Sequence, residues 1–401
     1  MDNQMITTIK CNICSGSGLE NIMTLPNYPL NSIYIRKREE ERVKRLKPRK
    51  FSLHFCNDCG HFQGISDVQL RELYNEEYNY NTKNSGVRGR IEFFTSQLKE
   101  IEHIKFNRVI DVGCYDLSLL TVVKHMIKAE HYIGIDPSIP EAFVNNDDGI
   151  ICFKDYVDNV QIPYLDNSLP DLIISDQTFE HIPSIHSTLG NISEKVSENS
   201  IFAICVPSME VLIDKLNFHN LIHEHVNYFS IFTLVKLFSL NQLSLQSYKL
   251  NYTSTCGFLF GLFAKKKGLI NQMVLKGNFI SKERFLERFK VFTNLIEITL
   301  ATLQDFKGEK IYGFGASDIT ANLAYFMNSD LSFLHNILDD TVYKQNRYFP
   351  FLAPEIISQN GMDDLRASHC LITSPQASRY IYARINDLGF KTIINPVGLL
   401  A

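Results

Sequence analysis

Two cysteine pairs form the most specific pattern of reactive residues in this 401-residue chain. Cys11 and Cys14 are separated by two residues, as are Cys56 and Cys59. Four thiolates at this spacing suit Zn²⁺, which prefers tetrahedral cysteine ligands; a redox-active pair is the alternative. Gly60 follows the second pair, where a metal knuckle needs backbone freedom. We therefore expect one structural zinc ion per chain, bound by these four cysteines.

A second group of residues that could take part in chemistry lies in IHEHVNYFS, residues 222–230, where Glu224 stands between His223 and His225. Such a group could bind a metal. It could also move protons, because histidine titrates near neutral pH and a carboxylate can orient the ring. No third metal ligand is evident nearby, which counts against a metal site, but the segment alone does not decide between these functions. The alternative is a set of polar residues at a strand edge.

These residues need a scaffold, and the middle of the chain alternates predicted strands with helices. This pattern predicts a parallel sheet covered on both faces. The predicted strands end at Asp111, Asp136, Asp155 and Gln177, with His181 just beyond the last. Ligands bind outside the carboxyl ends of such strands, and an acid ending the second strand can bind ribose hydroxyls. A ligand site is therefore expected at this edge.

The turn after the first of these strands distinguishes between cofactors. Its sequence, GCYDLS, contains one glycine, Gly113. A dinucleotide dehydrogenase would carry G-x-G-x-x-G here. The single glycine weakens the case for NAD and favours S-adenosylmethionine.

The last third of the chain begins with a predicted amphipathic helix for which Ser281 is the expected N-cap. A strand, a glycine turn and a helix follow, with GFGAS at residues 313–317. This pattern predicts a second, smaller Rossmann-like unit. Its glycines could approach a phosphate.

Composition excludes several classes of function. The net charge is −4, so the whole chain is not a polyanion binder, and the mixed charges of RKREEERVKRLKPRK indicate a solvated face rather than a nucleic-acid site. The longest apolar runs are too short to span a bilayer, and the first residues have no secretory signal. We expect a cytoplasmic protein that binds neither nucleic acid nor membrane.

With these motifs assembled, the chain resembles the three-domain sugar C-methyltransferases over nearly its whole length. These enzymes methylate a carbon of nucleotide-linked keto-sugars. The resemblance rests on segments that occur in the family's order: the double CxxC with CGHFQ, then DVGCYD, FEHI, FHNLIHEHVNYFS, GFGAS and DDTVYKQNRYFP. The most specific is FHNLIHEHVNYFS, which matches F-D-x-I-Y-H-E-H-x-x-Y-F-S.

The resemblance implies an α/β fold and three domains. A class I methyltransferase Rossmann-like domain would be flanked by a small four-cysteine zinc module and a second, smaller Rossmann-like domain. The expected bounds are 1–75 for the zinc module with an inserted segment, 76–240 for the S-adenosylmethionine-binding domain, and 241–401 for the substrate domain. The expected partner is a nucleotide sugar, and the expected state is a monomer.

The resemblance also implies roles for individual residues. His225 would remove a proton beside a ketone, with Glu224 as its partner and His181 as a further hydrogen-bonding or relay group. The implied cofactor-binding residues are Asp111, Gly113, Asp116, Asp136, Asp155, Gln177 and Tyr80. The implied substrate-binding residues are Tyr78, His219, Gly315, Ser317, Lys344 and Arg347.

Three single positions, and the element SPQAS at residues 374–378 in place of one that contains W-N, depart from the family pattern. Ile222 replaces a tyrosine, His219 replaces an aspartate, and Ile319 replaces the lysine of the glycine turn. Ile222 cannot donate a hydrogen bond to an enolate oxygen, so His219 or a tyrosine from residues 78–80 would have to do so. The alternatives are an O- or N-methyltransferase on a related sugar, and a binding protein that retains the fold.

Overall fold

The computed structural model describes residues 9–31, 34–35, 46–68, 85–144, 149–253, 257–265 and 279–398. The described strands form three sheets, of four, seven and six strands. Among the helices in these ranges, none combines the length and the apolar character of a membrane span.

In chain order, the strands are β1 (Leu19–Tyr28), β2 (Arg49–Cys56), β3 (Phe62–Ser66), β4 (Phe106–Val112), β5 (Ala129–Ile135), β6 (Ile150–Phe153), β7 (Leu172–Asp176), β8 (Ile201–Pro207), β9 (Asn227–Tyr228), β10 (Ser244–Asn251), β11 (Phe258–Ala264), β12 (Ile311–Phe314), β13 (Ile337–Leu338), β14 (Arg347–Tyr348), β15 (Glu355–Ile357), β16 (His369–Ile372) and β17 (Thr392–Ile394). The α-helices are α1 (Ser85–Gln97), α2 (Ser118–Met126), α3 (Glu141–Val144), α4 (Ile185–Glu194), α5 (Met209–Asp214), α6 (Ile231–Leu240), α7 (Lys282–Gln304), α8 (Thr320–Phe326) and α9 (Ser378–Asn386).

The four-stranded sheet is antiparallel and has the order β1-β2-β3-β9. In β2, the alternate residues Phe51, Leu53 and Phe55 are buried, because successive side chains of a strand point to opposite faces. Its last strand, β9, comes from a distant part of the chain. The segment before β9, which contains His223 and His225, is therefore held against this sheet.

The seven-stranded sheet has the order β10-β11-β8-β7-β4-β5-β6. Strands β4 to β8 run parallel, while β11 is antiparallel to β8 and β10. Every residue of β4 and β7 is buried, as expected for strands covered on both faces. The chain order reverses between β4 and β7. A crevice for ligands is expected outside the carboxyl ends of strands at such a point.

The seven-stranded sheet extends past the boundary that we expected at residue 240. Strands β10 and β11, from Ser244 to Ala264, complete this sheet and not the third one. The apolar sequence FLFGLFA of β11 is buried along its whole length between β8 and β10. The other domain bounds remain predictions.

The six-stranded sheet has the order β14-β15-β13-β12-β16-β17, and only β14 runs antiparallel to its neighbour. Helix α7 precedes it, and the predicted N-cap is confirmed, because the Ser281 side chain accepts a hydrogen bond from the Arg284 amide. Phe285 and Phe292 on α7 belong to a core that also contains residues of the first and third sheets. This shared core joins the unit of the six-stranded sheet to the cysteine-bearing unit.

Candidate functional site

The four predicted zinc ligands lie together. The Sγ atoms of Cys11 and Cys59 are 3.7 Å apart, as are those of Cys14 and Cys56. All four sulfurs lie within 4.8 Å of one another. A tetrahedral zinc ion with Zn–S bonds of about 2.3 Å requires sulfur separations of about 3.8 Å. The cysteine geometry therefore fits zinc.

Local hydrogen bonds form the two knuckles. The Ser15 amide donates to the Cys11 carbonyl, and the Gly60 amide donates to the Cys56 carbonyl. Gly60 has φ +75°, and a Cβ there would lie 2.8 Å from the Phe279 ring, so this turn requires glycine. A hydrogen bond with Cys59 lowers the pKa of Cys11, which favours a thiolate, the form of cysteine that binds metals.

Asn227 connects the first knuckle to the segment around His181. Its Oδ1 accepts from Asn12 Nδ2 at 2.9 Å, and its Nδ2 donates to the carbonyls of Phe179 and Ile182. His61 lies after the second knuckle, fully buried, with Nε2 3.3 Å from the same Oδ1. The cysteine module and the candidate active site therefore share one buried polar network.

The histidine segment forms a turn, not a strand, over residues 222–226. The Val226 amide donates to the Glu180 carbonyl at 2.9 Å, and the Gly64 amide donates to the Val226 carbonyl at 3.1 Å. His223 is buried, with hydrogen bonds to Ser66 Oγ at 2.7 Å and the Tyr28 carbonyl at 3.2 Å. These contacts give His223 a structural role.

His225 lies against His181, with ring centroids 5.0 Å apart and an angle of 65° between the planes. Nδ1 of His181 is 2.9 Å from the main-chain oxygen of Glu224. Burial lowers the pKa of His181 to about 4, and burial together with the neighbouring His181 lowers the pKa of His225 well below its usual value. Both rings are therefore neutral at pH 7, and a neutral imidazole can accept a proton.

The Glu224 carboxyl group is not part of this histidine pair. It is buried, and its Oε2 has no hydrogen-bond partner among the described residues. Burial, with a smaller contribution from Asp318, raises the pKa of Glu224 to about 7. Glu224 therefore supports His181 through its main chain. The carboxyl group that lies with the two rings is instead that of Glu180.

The predicted cofactor residues gather at the carboxyl edge of the seven-stranded sheet. Asp111 lies next to the end of β4 and is buried, and its Oδ2 has no hydrogen-bond partner in the described part of the chain. Gly113 has φ +88°, and a Cβ there would lie 1.9 Å from Thr178 Oγ1. The Asp136 carboxylate follows β5 and accepts from the amides of Tyr115 at 3.2 Å and Ser138 at 2.6 Å.

The remaining predicted cofactor residues have local contacts. Asp116 Oδ1 accepts from the Ser118 amide at 3.1 Å, at the start of α2. Asp155 is exposed, and its Oδ1 accepts from the Tyr156 amide and the Asn159 side chain. Gln177 follows β7 with φ +57°. Tyr80, and Tyr78 of the predicted substrate set, lie outside the described residues.

Asp176 and Arg90, which the sequence patterns did not identify, complete the carboxyl edge of the seven-stranded sheet. Asp176 ends β7, and its Oδ2 forms an ion pair with Nε of Arg90 on α1 at 2.7 Å. Burial, followed by the charges of Asp176, Asp136 and Asp116, raises the pKa of Asp111 well above its usual value. Such a concentration of acids favours a cationic ligand, and S-adenosylmethionine carries a sulfonium and an ammonium group. Asp176 could have been found as the last residue of a predicted strand.

The predicted substrate residues of the last unit surround the glycine turn after β12. Gly315 has φ +94°, and a Cβ there would lie 2.8 Å from Ser374 Oγ. The Ser317 amide donates to that same Oγ at 3.1 Å. Lys344 Nζ donates to the Ala316 carbonyl at 2.7 Å and lies 3.5 Å from Asp339 Oδ2, so part of its hydrogen-bonding capacity is used within the protein.

The other substrate candidates differ in exposure. Arg347 is half-buried in β14. His219 is fully buried beside Gln376, and burial lowers its pKa to about 3. Asp318, which is not one of these candidates, is exposed in the glycine turn, where its Oδ1 accepts from the Tyr34 hydroxyl at 2.9 Å.

Comparison with known proteins defines the class of the central region. Residues 84–248, about two fifths of the chain, match the family described as "Methyltransferase domain". The chain therefore carries a methyltransferase domain of the S-adenosylmethionine-dependent class, and the predicted α/β class I fold is confirmed.

A curated protein of Streptomyces niveus, "C-methyltransferase NovU", is 30% identical to this chain over 111 residues. The match covers 26% of this chain and 26% of that protein. The chain thus spans about a quarter of the length of the curated relative that it matches.

Several solved methyltransferase structures are similar at low identity. The N-methyltransferase NodS from Bradyrhizobium japonicum, in complex with S-adenosyl-L-homocysteine, is 10% identical, with a TM-score of 0.35 over 49% of this chain and 95% of that chain. The 1,6-didemethyltoxoflavin-N1-methyltransferase of Burkholderia thailandensis, with bound 1,6-didemethyltoxoflavin and S-adenosylhomocysteine, is 11% identical, with a TM-score of 0.36 over 46% of this chain and 80% of that chain.

Proposed function

We propose that this protein transfers the methyl group of S-adenosylmethionine to a carbon atom of a keto-sugar, which a nucleotide carries. The observation that supports this proposal best is the contact between the His181 and His225 rings, which lie with the Glu180 carboxyl group near the acidic edge of the methyltransferase sheet. The curated C-methyltransferase matched by part of the chain agrees with methylation at carbon.

In the proposed chemistry, His225 removes the proton from the carbon beside the ketone. The electron pair of the broken C–H bond forms an enolate, and the proton stays on the imidazole. S-adenosylmethionine, when bound, supplies an electrophilic methyl group that this carbon can attack. The enolate forms the new C–C bond, and the S–CH₃ bond breaks with its electron pair going to sulfur. A base that acts in this way must be neutral before the reaction.

The supporting roles follow from the contacts. His181 would position the His225 ring, because its own Nδ1 is held by the Glu224 main chain. Ile222 is half-buried and has no hydrogen-bond donor in its side chain. His219 or a tyrosine from residues 78–80 would therefore have to donate to the enolate oxygen.

The cofactor would bind at the carboxyl edge of the seven-stranded sheet, and the nucleotide end of the substrate would bind at the glycine turn after β12. Asp136 would bind the ribose, and Asp111 would face the cationic part of S-adenosylmethionine. Gly113 leaves space for close backbone approach. Gly315, Ser317, Lys344 and Arg347 are proposed to bind the nucleotide end of the substrate. The four cysteines are proposed to hold one structural zinc ion, which their sulfur separations fit.

A panel of nucleotide sugars tests the reaction. We expect S-adenosylmethionine labelled with ¹³C in its methyl group to label a keto-sugar, whereas the corresponding alcohol stays unlabelled. The product should show its label as a carbon-bound methyl in the ¹³C spectrum, upfield of methyl groups on oxygen or nitrogen. Transfer to oxygen or nitrogen would establish instead the O- or N-methyltransferase that the missing tyrosine at Ile222 favours. Failure to label any acceptor in the panel would contradict the proposed substrate class.

A further inference from the structure

Asn322, in the first turn of α8, forms hydrogen bonds to the segment that leads into the histidines. Its Nδ2 donates to the main-chain carbonyls of His219 at 2.8 Å and Leu221 at 3.1 Å. Because both carbonyls can only accept, these contacts identify the nitrogen of the amide, and they use both of its hydrogens. The two bonds join the unit of the six-stranded sheet to residues 219–222.

The Asn322 side chain is fully buried, and its Oδ1 has no hydrogen-bond partner among the described residues. An unpaired amide oxygen in the interior is unfavourable, and an apolar side chain at this position would avoid that penalty. The two donated bonds offset the penalty. They are therefore the physical reason for an asparagine at this position.

A short path connects these bonds to His225. The Leu221 carbonyl also accepts from the Tyr28 hydroxyl at 2.7 Å, so it is held from two sides. The amide of the next residue, Ile222, donates to the Tyr228 hydroxyl at 3.0 Å, and its carbonyl accepts from the same hydroxyl at 3.2 Å. The Ile222 carbonyl also accepts from the His225 amide at 3.3 Å. A shift of Leu221 would therefore move the turn that carries His225.

The start of α8 is bonded to the glycine turn after β12. The Ser317 amide donates to Oγ1 of Thr320, the first residue of α8, at 3.0 Å. Asn322 lies two residues further along the same helical turn. Burial and, to a smaller extent, the charge of Asp318 in the glycine turn raise the pKa of Glu224, so the glycine turn and the histidine segment are also close in space.

From these contacts, we infer that Asn322 is a positioning residue, which holds the His225 segment against the turn that would bind the nucleotide end of the substrate. This inference rests on the proposed function. A nucleotide at residues 315–317 would order the start of α8, and the two Asn322 bonds would extend that order to His225. The nucleotide would then raise the rate of proton removal as well as the affinity, because binding energy from a remote part of a substrate can orient the reacting groups.

Turnover with and without the nucleotide tests the inference. In wild type, a keto-sugar linked to a nucleoside diphosphate should have a kcat up to about 10²-fold higher than the corresponding keto-sugar 1-phosphate, the cost of misplacing a reacting group by about 1 Å. Asn322→Ala removes both donors, so this advantage in kcat should largely disappear. Calorimetry should show unchanged affinity for the free nucleoside diphosphate. A variant that was only less stable would lose turnover with both substrates alike.

Asn336→Ala is the matched control. Asn336 lies in the same unit, before β13, and its Nδ2 also donates to a main-chain carbonyl, that of Glu355 at 3.4 Å. This bond stays within the unit of the six-stranded sheet, so the control should keep the full advantage in kcat. A folded Asn322→Ala enzyme that keeps this advantage would overturn the inference, and the proposed function would stand. Absence of methyl transfer to carbon with every sugar of the panel would instead contradict the proposed function.

Amide hydrogen exchange tests the positioning without any reaction. In folded, ligand-free Asn322→Ala, peptides that cover residues 219–226 should exchange at least about tenfold faster than in wild type, because the lost bonds make local opening easier, while peptides of β4 stay unchanged. Unchanged exchange at residues 219–226 would contradict the positioning role.

Wild-type protein covers the case in which Asn322→Ala does not fold. Addition of uridine diphosphate or thymidine diphosphate should slow exchange at residues 219–226 together with residues 315–322. Slower exchange at the glycine turn alone would overturn the inference. Failure of both nucleotides to bind would contradict the inference and the proposed nucleotide carrier together.

Discussion

Replacement of His225 by asparagine is expected to lower kcat by about 10²–10⁴-fold, the usual effect of losing a general base. The asparagine side chain cannot take the substrate proton near neutral pH, while the acids that would bind S-adenosylmethionine stay in place at the sheet edge. Steady-state kinetics and calorimetry of cofactor binding would measure the two properties separately. We expect the turnover to fall while the cofactor affinity stays nearly unchanged.

His223→Asn is the matched control, because it changes the same residue type two positions away. His223 is buried against Ser66 and Tyr28, so its replacement should lower thermal stability more than turnover per folded molecule. Equal losses of turnover in the two folded variants would show that the segment has only a structural role.

Loss of the zinc ion proposed at the four cysteines is the second large expected effect. Cys59→Ser removes one of four thiolates, and structural zinc sites contribute apparent binding free energies of about 10–16 kcal/mol. We expect the purified variant to contain well under one equivalent of zinc, to unfold at a lower temperature, and to lose activity. Elemental analysis and thermal unfolding would measure the first two properties.

Hydrogen bonds between the cysteine module and the histidine segment explain the expected loss of activity. Asn12 lies between the first two cysteines and donates to Asn227, which holds the carbonyls on either side of His181. A disordered knuckle would therefore release the segment that positions the histidine pair. Cys152→Ser, a half-buried cysteine in β6, is the control and should keep its zinc and its activity. A Cys59→Ser variant with about one equivalent of zinc and wild-type stability would contradict the assignment of the ligands.

Features that follow from local sequence and strand topology could be predicted. Ser281 begins α7 because its hydroxyl can accept from a free amide of the first turn. Asp111 and Asp136 lie at one edge because parallel strands end on the same side of a sheet. The spacing of the cysteine pairs predicted a site of four cysteines, and their four sulfurs lie close together.

The direction of the Glu224 side chain could not be predicted in this way. Its turn is set by two long-range contacts, the pairing of β9 with β3 and the hydrogen bond from the Val226 amide to the Glu180 carbonyl. Adjacent position in the sequence suggested that Glu224 supports His225. The tertiary structure instead brings Glu180 and its neighbour His181 to His225, from a part of the chain more than forty residues earlier.

The placement of β10 and β11 was missed for a related reason. The buried sequence of β11 predicts a strand, but a continuous apolar run does not indicate which sheet it joins. Antiparallel pairing with β8 decides this, and that pairing depends on contacts between residues more than fifty positions apart.

Hydrogen exchange at the substrate tests the central claim most directly, because the proposed mechanism forms an enolate before methyl transfer. The keto-sugar would be incubated in D₂O with the enzyme and S-adenosylhomocysteine, so that the site is filled but no methyl group is available. We predict that wild-type enzyme incorporates deuterium at the carbon beside the ketone and that His225→Asn does not. Methylation of the same sugar at oxygen or nitrogen, without deuterium incorporation at this carbon, would contradict C-methylation through an enolate.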